Sequence, residues 1–431
     1  MTRLTLLAAL SLAACGGGTL GKGSGPLQVT HAEALPGITD YIPLIGVDVG
    51  VDSHDNAVVV GPASSGAKDP GPTISWFAGH TISRAMTYAH APTPSAMAID
   101  PSDSIWLVGH LESGAPPVDF GGTPVTAVDG YYLAKLSSDG AQLFVNAIAP
   151  PGNNYVEEMT TDGSGNVYVV GSRRPSGSVN ESAFVSKFSP DGVPIFDRAF
   201  PGSDTVTTPR DVAIAPNGDV IVVGEFNATT QFGDFQITSL GAAGHFMNAF
   251  VAVLSPTDGT PKQAFGFGGT TGDYAAAVDV TASGALRITG DVSGRATIGG
   301  IGVQADANGS AFVAELTPAG TADWALLGEG QSYLFQSDTN SADRTFVVGR
   351  IAGPTTSESI VGSVGSERTL SLPLRVQTDG SASHAAADRH GGVWVGGQFL
   401  GVVDFGTGPL AGPDATMPTN FLLHLEPAPS P

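Results

Sequence analysis

The chain has 431 residues and carries 40 acidic against 18 basic side chains, a formal charge of −22. Such a surface repels nucleic acid and anionic lipid headgroups, which argues against either as a partner and favours cationic partners or divalent metal. With 59 glycines, 31 prolines, 13% charged residues and no sustained helical period after residue 15, the composition suits a globular chain rich in tight turns. A coiled coil and a disordered chain are excluded on the same grounds.

Met1-Thr2-Arg3 is a short basic start, and Leu4–Ala14 is an apolar run too short to cross a bilayer, which takes ~20 helical residues. It ends Leu12-Ala13-Ala14-Cys15, and Cys15 is the only cysteine in the chain. This stretch resembles the bacterial lipoprotein signal, in which small residues precede a cysteine that is acylated and becomes the first residue of the mature chain. The resemblance implies a signal and lipidated cysteine over residues 1–15 and membrane attachment through the lipid alone. Gly16 after the cysteine further implies outer-membrane sorting in a cell with two membranes. A single cysteine leaves no disulfide framework and no zinc–thiolate site. Residues 16–26, GGGTLGKGSGP, read as a flexible tether. Residues 27–431 are expected to form one domain.

Within that domain one strip recurs seven times without a gap. It is clearest as DVAIAPNGDVIVVG at Asp211–Gly224, and its copies begin at Asp48, Ala96, Glu158, Ala277, Gln336 and His384. Each copy holds a short apolar strand A, a turn rich in Asp, Asn and Gly, and a β-branched or aromatic strand B. The turn residues suit a hairpin needing positive φ. A third strand, C, follows at Tyr132–Leu136, Phe184–Phe188, Phe250–Leu254, Phe312–Leu316 and Phe421–Leu425. Ile74–Phe77 and Leu374–Gln377 are its weakest copies. Strand D is expected at Leu143–Ile148, Pro194–Phe200 and Ala322–Leu327. The strip-ending glycines, from Gly61 to Gly397, are spaced roughly 56 residues apart.

Four antiparallel strands repeated radially seven times predict an all-β, seven-bladed β-propeller. The last unit ends after strand C, while Leu27–Ala34 precedes the first strip with no unit of its own. The N-terminal strand is therefore expected to supply the outer strand of the last blade and close the ring, removing an open edge.

Between B and C several units carry a second pattern: Val118-Asp119-Phe120-Gly121-Gly122, Gln231-Phe232-Gly233-Asp234, Ala296-Thr297-Ile298-Gly299-Gly300 and Val403-Asp404-Phe405-Gly406. Together with GNVYVVG and AFVSKFSPDG, these resemble the SBBP-type β-propeller repeats of bacterial surface lipoproteins, over nearly all of residues 27–427. The resemblance implies a propeller at the cell surface or in the periplasm and brings no catalytic residues with it.

In a propeller strand A lines the central channel, so the first strip position should ring its mouth. Its occupants are Asp48, Ala96, Glu158, Asp211, Ala277, Gln336 and His384, with Asp279 and Asp338 two residues further along their strips. Asp48, Glu158, Asp211, Gln336 and His384 form the candidate ligand site, suited to Ca²⁺ or another hard cation, a sugar or a cationic peptide. The long B–C segments, such as Glu225–Asn248 and Ser293–Ser310, are the other expected binding surface.

Other motifs read as structure. Asp52–Asn56 and Asp162–Asn166 lack the spacing and terminal Glu of a calcium hand, and Ser137–Gly140 and Ser189–Gly192 are turns. Trp106 and Trp394 share a strand B position with Tyr168 and Phe346 and are expected to pack between blades. The expected function is a monomeric, lipid-anchored binding or scaffolding propeller for an envelope protein or glycan. The rival is a metal-assisted hydrolase or lyase using the acids at the channel mouth.

Overall fold

In the computed structural model the described residues are 26–35, 47–62, 71–150, 152–203, 206–241, 246–353, 356–412 and 418–428. Cys15, and all of the tether but Pro26, lie outside them. Among them there is strand and turn but no helix, in seven blades of four antiparallel strands, the sheet of blade 4 being continued by a two-stranded hairpin of blade 5. Each strand A touches strand A of both neighbouring blades, so the seven form a closed ring around the channel. This is a seven-bladed propeller.

The strips become A–B hairpins as their turn residues dictate. In blade 4, Thr207–Ile214 pairs with Val220–Phe226 through a turn in which the Ala215 N–H reaches the Asp219 carbonyl and the Gly218 N–H reaches the Ala215 carbonyl. The eighth strip position is left-handed in every blade, at Asp55, Asp103, Gly165, Gly218, Gly284, Asp343 and Gly391. Gly tolerates that region freely and Asp better than most residues, which accounts for the turn composition.

The glycine that ends the strip is fixed by crowding. Gly224 faces Phe250 across strands B and C, and a Cβ at Gly224 would lie 2.1 Å from the Thr208 carbonyl oxygen and 2.9 Å from the Phe250 ring. The same Gly–aromatic pairing joins Gly109 to Tyr132, Gly171 to Phe184, Gly290 to Phe312 and Gly397 to Phe421, and all five rings are fully buried. The backbone carbonyl comes so near because strand A carries a β-bulge just before the strip, between Pro209 and Asp211 in blade 4. Blades 3, 5, 6 and 7 carry the same bulge.

The apolar core is divided. Seven buried clusters each span one pair of neighbouring blades. Trp106 lies in the cluster between blades 2 and 3, and Trp394 in the one between blades 7 and 1. Both are packing residues, as their shared strand position suggested.

Leu27–Leu35 pairs antiparallel with Thr419–Pro427, strand C of blade 7, and becomes that blade's outer strand. Three sequence expectations need correction. Leu374–Gln377 belongs to strand D of blade 6 (Ser371–Gln377), and strand C is Ser357–Val364, whose serines and glycine hide the usual aromatic signature. Strand A starts ahead of the strip in five blades, as at Asn153–Thr161 and Ser332–Thr339, because the bulge breaks the alternation that sequence reading follows. The B–C segments are not free loops in blades 4, 5 and 7. Each folds into a small hairpin, Thr229–Phe232 with Phe235–Thr238, Arg295–Ile298 with Ile301–Gln304, and Val402–Asp404 with Pro409–Ala411.

The Phe-Gly pattern is the tip of these hairpins, and its apolar residue turns inward. Phe120, Phe232, Ile298 and Phe405 are all buried. Phe232 packs 5.1 Å from both Phe200 of blade 3 and Phe250 of blade 4. In two of the hairpins a strand also hydrogen-bonds the preceding blade, at Gly202–Ser203 and Gly268–Gly269. The inserts tie neighbouring blades together.

Candidate functional site

Strand A is the innermost strand, so its inner edge has no neighbouring strand to accept its N–H groups, and those donors must be met by side chains or water. The first strip position meets them. Asp48 of blade 1 accepts its neighbour Val49 N–H at 2.7 Å through Oδ1 and Met97 N–H of blade 2 at 2.7 Å through Oδ2. Asp211 of blade 4 repeats this with Val212 at 2.7 Å and Val278 of blade 5 at 2.8 Å. Gln336 of blade 6 accepts the Ala385 N–H of blade 7 at 2.6 Å, and Asp338 accepts Ala387 N–H at 2.7 Å. Asp279 of blade 5 accepts the Ser337 hydroxyl of blade 6 at 2.7 Å.

Where the first position is alanine no such bridge forms. Ala96 of blade 2 leaves Met159 N–H to Glu158, which caps it at 2.8 Å through Oε1. A cavity of about 230 Å³ opens there, lined by Asp48, Glu157, Glu158 and His384 with Thr93–Ser95, Val60, Gly61 and Val156. Two features of the chain produce it. The strand A segments of blades 1 and 2, Asp48–Val51 and Ala96–Ile99, stop at the strip, whereas strand A of blade 3 begins five residues earlier at Asn153. Ala96 itself contributes no side chain to fill the step.

The electrostatics of this cavity are one-sided. Burial pushes the Glu158 carboxyl well above its ordinary range, and the charges of Asp48 and Asp211 push it further. Burial also raises Asp48, partly offset by His384 and by its two backbone donors. Asp211 is raised to about 7 by burial, against its backbone bonds. Asp279 and Asp338 are raised by burial in the same way. Glu157 occupies the bulge position and pairs at 3.3 Å with Arg210, its counterpart in blade 4, whose other nitrogen holds Glu225 at 2.5 Å.

Of the five candidate residues, Asp48, Glu158 and His384 are brought to this one cavity. Asp211 and Gln336 are engaged between blades 4 and 5 and blades 6 and 7. A cation placed in the channel would compete with backbone donors for Asp48 and Asp211, since both oxygens of each are already accepting. Sequence reading missed Glu157, because a bulge residue falls outside the strip and carries no repeat signal.

The opposite end of the channel is built from the A–B turns, with an open cavity of about 340 Å³ lined by Asp52, Ser53, Asp100, Asp103, Asp162 and Arg389 among others. The aspartates there are structural. Asp52, Asp100, Asp162 and Asp388 each cap two N–H groups of their own turn. The left-handed aspartates reach across blades instead: Asp103 accepts Ser53 N–H at 2.7 Å, Asp343 accepts Ala282 N–H at 2.8 Å and Asp55 accepts Arg389 N–H at 3.0 Å.

The arrangement defines a closed propeller whose channel acids are shared between inter-blade bonding and one acidic cavity. No protein-family model and no curated protein sequence matches the chain. Several solved structures align with the chain at low identity. Polysaccharide lyase Uly1 aligns at 12% identity and TM-score 0.48 over 93% of this chain and all of that one. A structure of YCF48 bound to D1 peptide aligns at 11% and 0.46 over 95% and 100%, and streptogramin B lyase at 11% and 0.44 over 91% and 97%.

Proposed function

We propose that this chain is a binding propeller of the bacterial cell envelope, anchored through acylated Cys15, that seats a cationic side chain of a protein partner in the cavity between blades 1 and 3. The observation that carries the reading is the cavity's lining: three carboxylates and one imidazole, with no Lys or Arg among the lining residues. A lysine or arginine entering it would offset the Asp48 and Asp211 charges that, after burial, raise Glu158, and would meet charge-assisted acceptors at the end of a rigid channel. Polyanionic glycans would meet like charge. The lipoprotein and SBBP-type sequence resemblances support the envelope location.

The rival reading, a metal-assisted hydrolase or lyase, needs carboxylates free to converge on one ion. Asp48 and Asp211 are each held by two backbone N–H groups, which hinders their convergence on one ion, whereas Glu158, bound to the Met159 N–H through one oxygen, is enough to seat a single cationic side chain.

Titration with lysine-rich, neutral and acidic peptides and with a uronic-acid oligosaccharide tests the ligand class. Binding confined to the cationic peptide, weakened by salt and lost in Glu158→Gln, is expected. Preference for the anionic sugar would overturn the proposal. Membrane fractionation tests the anchor: Cys15→Ser should release the protein, and unchanged fractionation would remove the lipid from the account.

A further inference from the structure

A second group of titratable side chains lies away from the channel, where the first and last strands of the ring meet. His31 is in the closing strand, His80 in the C–D turn of blade 1, and His424 and Glu426 in strand C of blade 7. His80 Nε2 lies 3.0 Å from His424 Nδ1. The other ring nitrogen of His424, Nε2, lies 2.9 Å from Asp388 Oδ2.

The position has counterparts that show what is unusual about it. In blades 2 and 3 the same strand C site is a lysine. Lys135 pairs with Asp100 at 2.9 Å and donates to the Pro190 carbonyl of the next blade at 3.1 Å. Lys187 donates to the Pro256 carbonyl of the next blade at 2.8 Å. In blade 7 the aspartate and the aromatic are kept, as Asp388 and Trp394, but histidine replaces lysine. The next blade offers a second imidazole in place of a carbonyl. A donor and an acceptor have become two potential ligands.

We infer that His80, His424 and Glu426 form a binding site for a first-row transition-metal ion of the zinc class at the seam between blades 7 and 1. One donor atom from each residue lies within 4.8 Å of the others. Tetrahedral zinc with bonds near 2 Å holds its ligand atoms about 3.3 Å apart, so the two imidazoles are already near that spacing. Glu426 is half-buried at the end of its strand and can close the remaining distance by a rotamer change. Two imidazoles and one carboxylate suit Zn²⁺, Co²⁺ or Ni²⁺ and do not suit Ca²⁺ or Mg²⁺.

The surroundings are those of an oriented ligand. A carboxylate facing His424 Nε2 requires the proton there and leaves Nδ1 with its lone pair towards His80, the carboxylate–histidine–metal arrangement. Asp388 is held in turn by His390 N–H and Gly392 N–H, each at 2.8 Å. Trp394 stacks on the His424 ring at 4.1 Å, and His31 stacks on His80 at 4.8 Å. The buried Nε2 of His31 lies 3.4 Å from Glu33 Oε2, and its stack on His80 places a third imidazole beside the site.

The test uses the full chain in detergent, without an affinity tag and stripped with chelator. Calorimetry should give one Zn²⁺ per chain, Co²⁺ should show the visible bands of a four-coordinate ion, and Tm should climb with Zn²⁺ concentration. His80→Ala, in an exposed turn, should weaken binding tenfold or more, and Glu426→Gln should weaken it with the fold unperturbed, whereas His110→Ala, on the exposed face of Ile105–Leu111 in blade 2, should leave it unchanged. Absence of Zn²⁺ binding at millimolar metal would overturn the inference. So would binding that survives both His80→Ala and Glu426→Gln.

Discussion

Asp211 Oδ2 accepts the N–H of Val278 at 2.8 Å, from the innermost strand of blade 4 to that of blade 5. The bond stabilises a backbone donor that has no strand partner, but it holds a carboxylate in a half-buried channel. Burial lifts the pKa of Asp211 to about 7, against an unfolded value near 4. The folded chain therefore binds the proton more tightly than the unfolded one. Stability associated with this group is highest below about pH 4 and declines as pH rises towards about 7, beyond which the penalty is complete. Asp48, Glu158, Asp279 and Asp338 are displaced in the same direction. Thermal melts between pH 5 and pH 8 should show Tm falling as pH rises, and Asp211→Asn should flatten part of that slope. A slope unchanged in the variant would remove Asp211 as its source.

Below that window the sign reverses. Asp100, Asp162 and Asp388 are held beneath the ordinary range by side-chain and turn N–H donors that outweigh their burial. Their contribution is present above the unfolded pKa and is lost as pH falls through the depressed folded values. The two sets together place the stability maximum in mildly acidic solution, which a denaturation series across pH 3 to 8 would locate.

Lys135 pairs with Asp100 at 2.9 Å with both side chains almost wholly buried. Lys135→Ala leaves a buried carboxylate without its counter-charge, met only by the Ser102, Ser104 and Trp106 N–H groups, and should cost about 3 kcal/mol in urea denaturation. Arg368 and Asp323 make an exposed pair, and Arg368→Ala should change stability by about 1 kcal/mol or less. Equal effects in the two variants would contradict the burial argument.

Phe250→Ala removes a fully buried ring lying over Gly224 and should destabilise by about 3–5 kcal/mol. Gly224→Val should be worse, because its branched side chain meets the Thr208 carbonyl. Expression and circular dichroism of the pair check the order.

Deleting Leu27–Ala34 opens the ring at blade 7 and bares the edge of Thr419–Pro427. A large drop in Tm and a rise in aggregation are expected. A melt like that of the full chain would show that closure depends on another contact.

Much of the fold was legible because the repeat wrote it seven times. A glycine opposite an aromatic, a left-handed turn residue and a β-branched strand are local requirements, and each leaves a residue type at a fixed position. The channel column was legible for the same reason, down to Asp48, Glu158 and His384. The bonds those residues make were not, because Asp211 and Val278 are neighbours only once the blades are stacked. Glu157 and Arg210 were hidden by the bulge. The inserts were read as free loops because Phe232 looks like any exposed loop aromatic until it is seen between Phe200 and Phe250. The histidines at the seam carried no repeat signal: His424 departs from the lysine of blades 2 and 3, His80 stands in a C–D turn whose counterparts offer a proline carbonyl, and His31 belongs to the closing strand.

The closing strand also dictates an order of events. Leu27–Leu35 is the first segment of the propeller to be synthesised, and its partner Thr419–Pro427 is the last. Throughout translation the opening strand waits with its backbone groups unpaired, and the final pairing joins two distant parts of the chain, a slow step by topology. A premature stop near residue 418 would thus remove a small fraction of the protein yet strand both of its ends, so late nonsense mutations should be cleared by proteases as thoroughly as early ones.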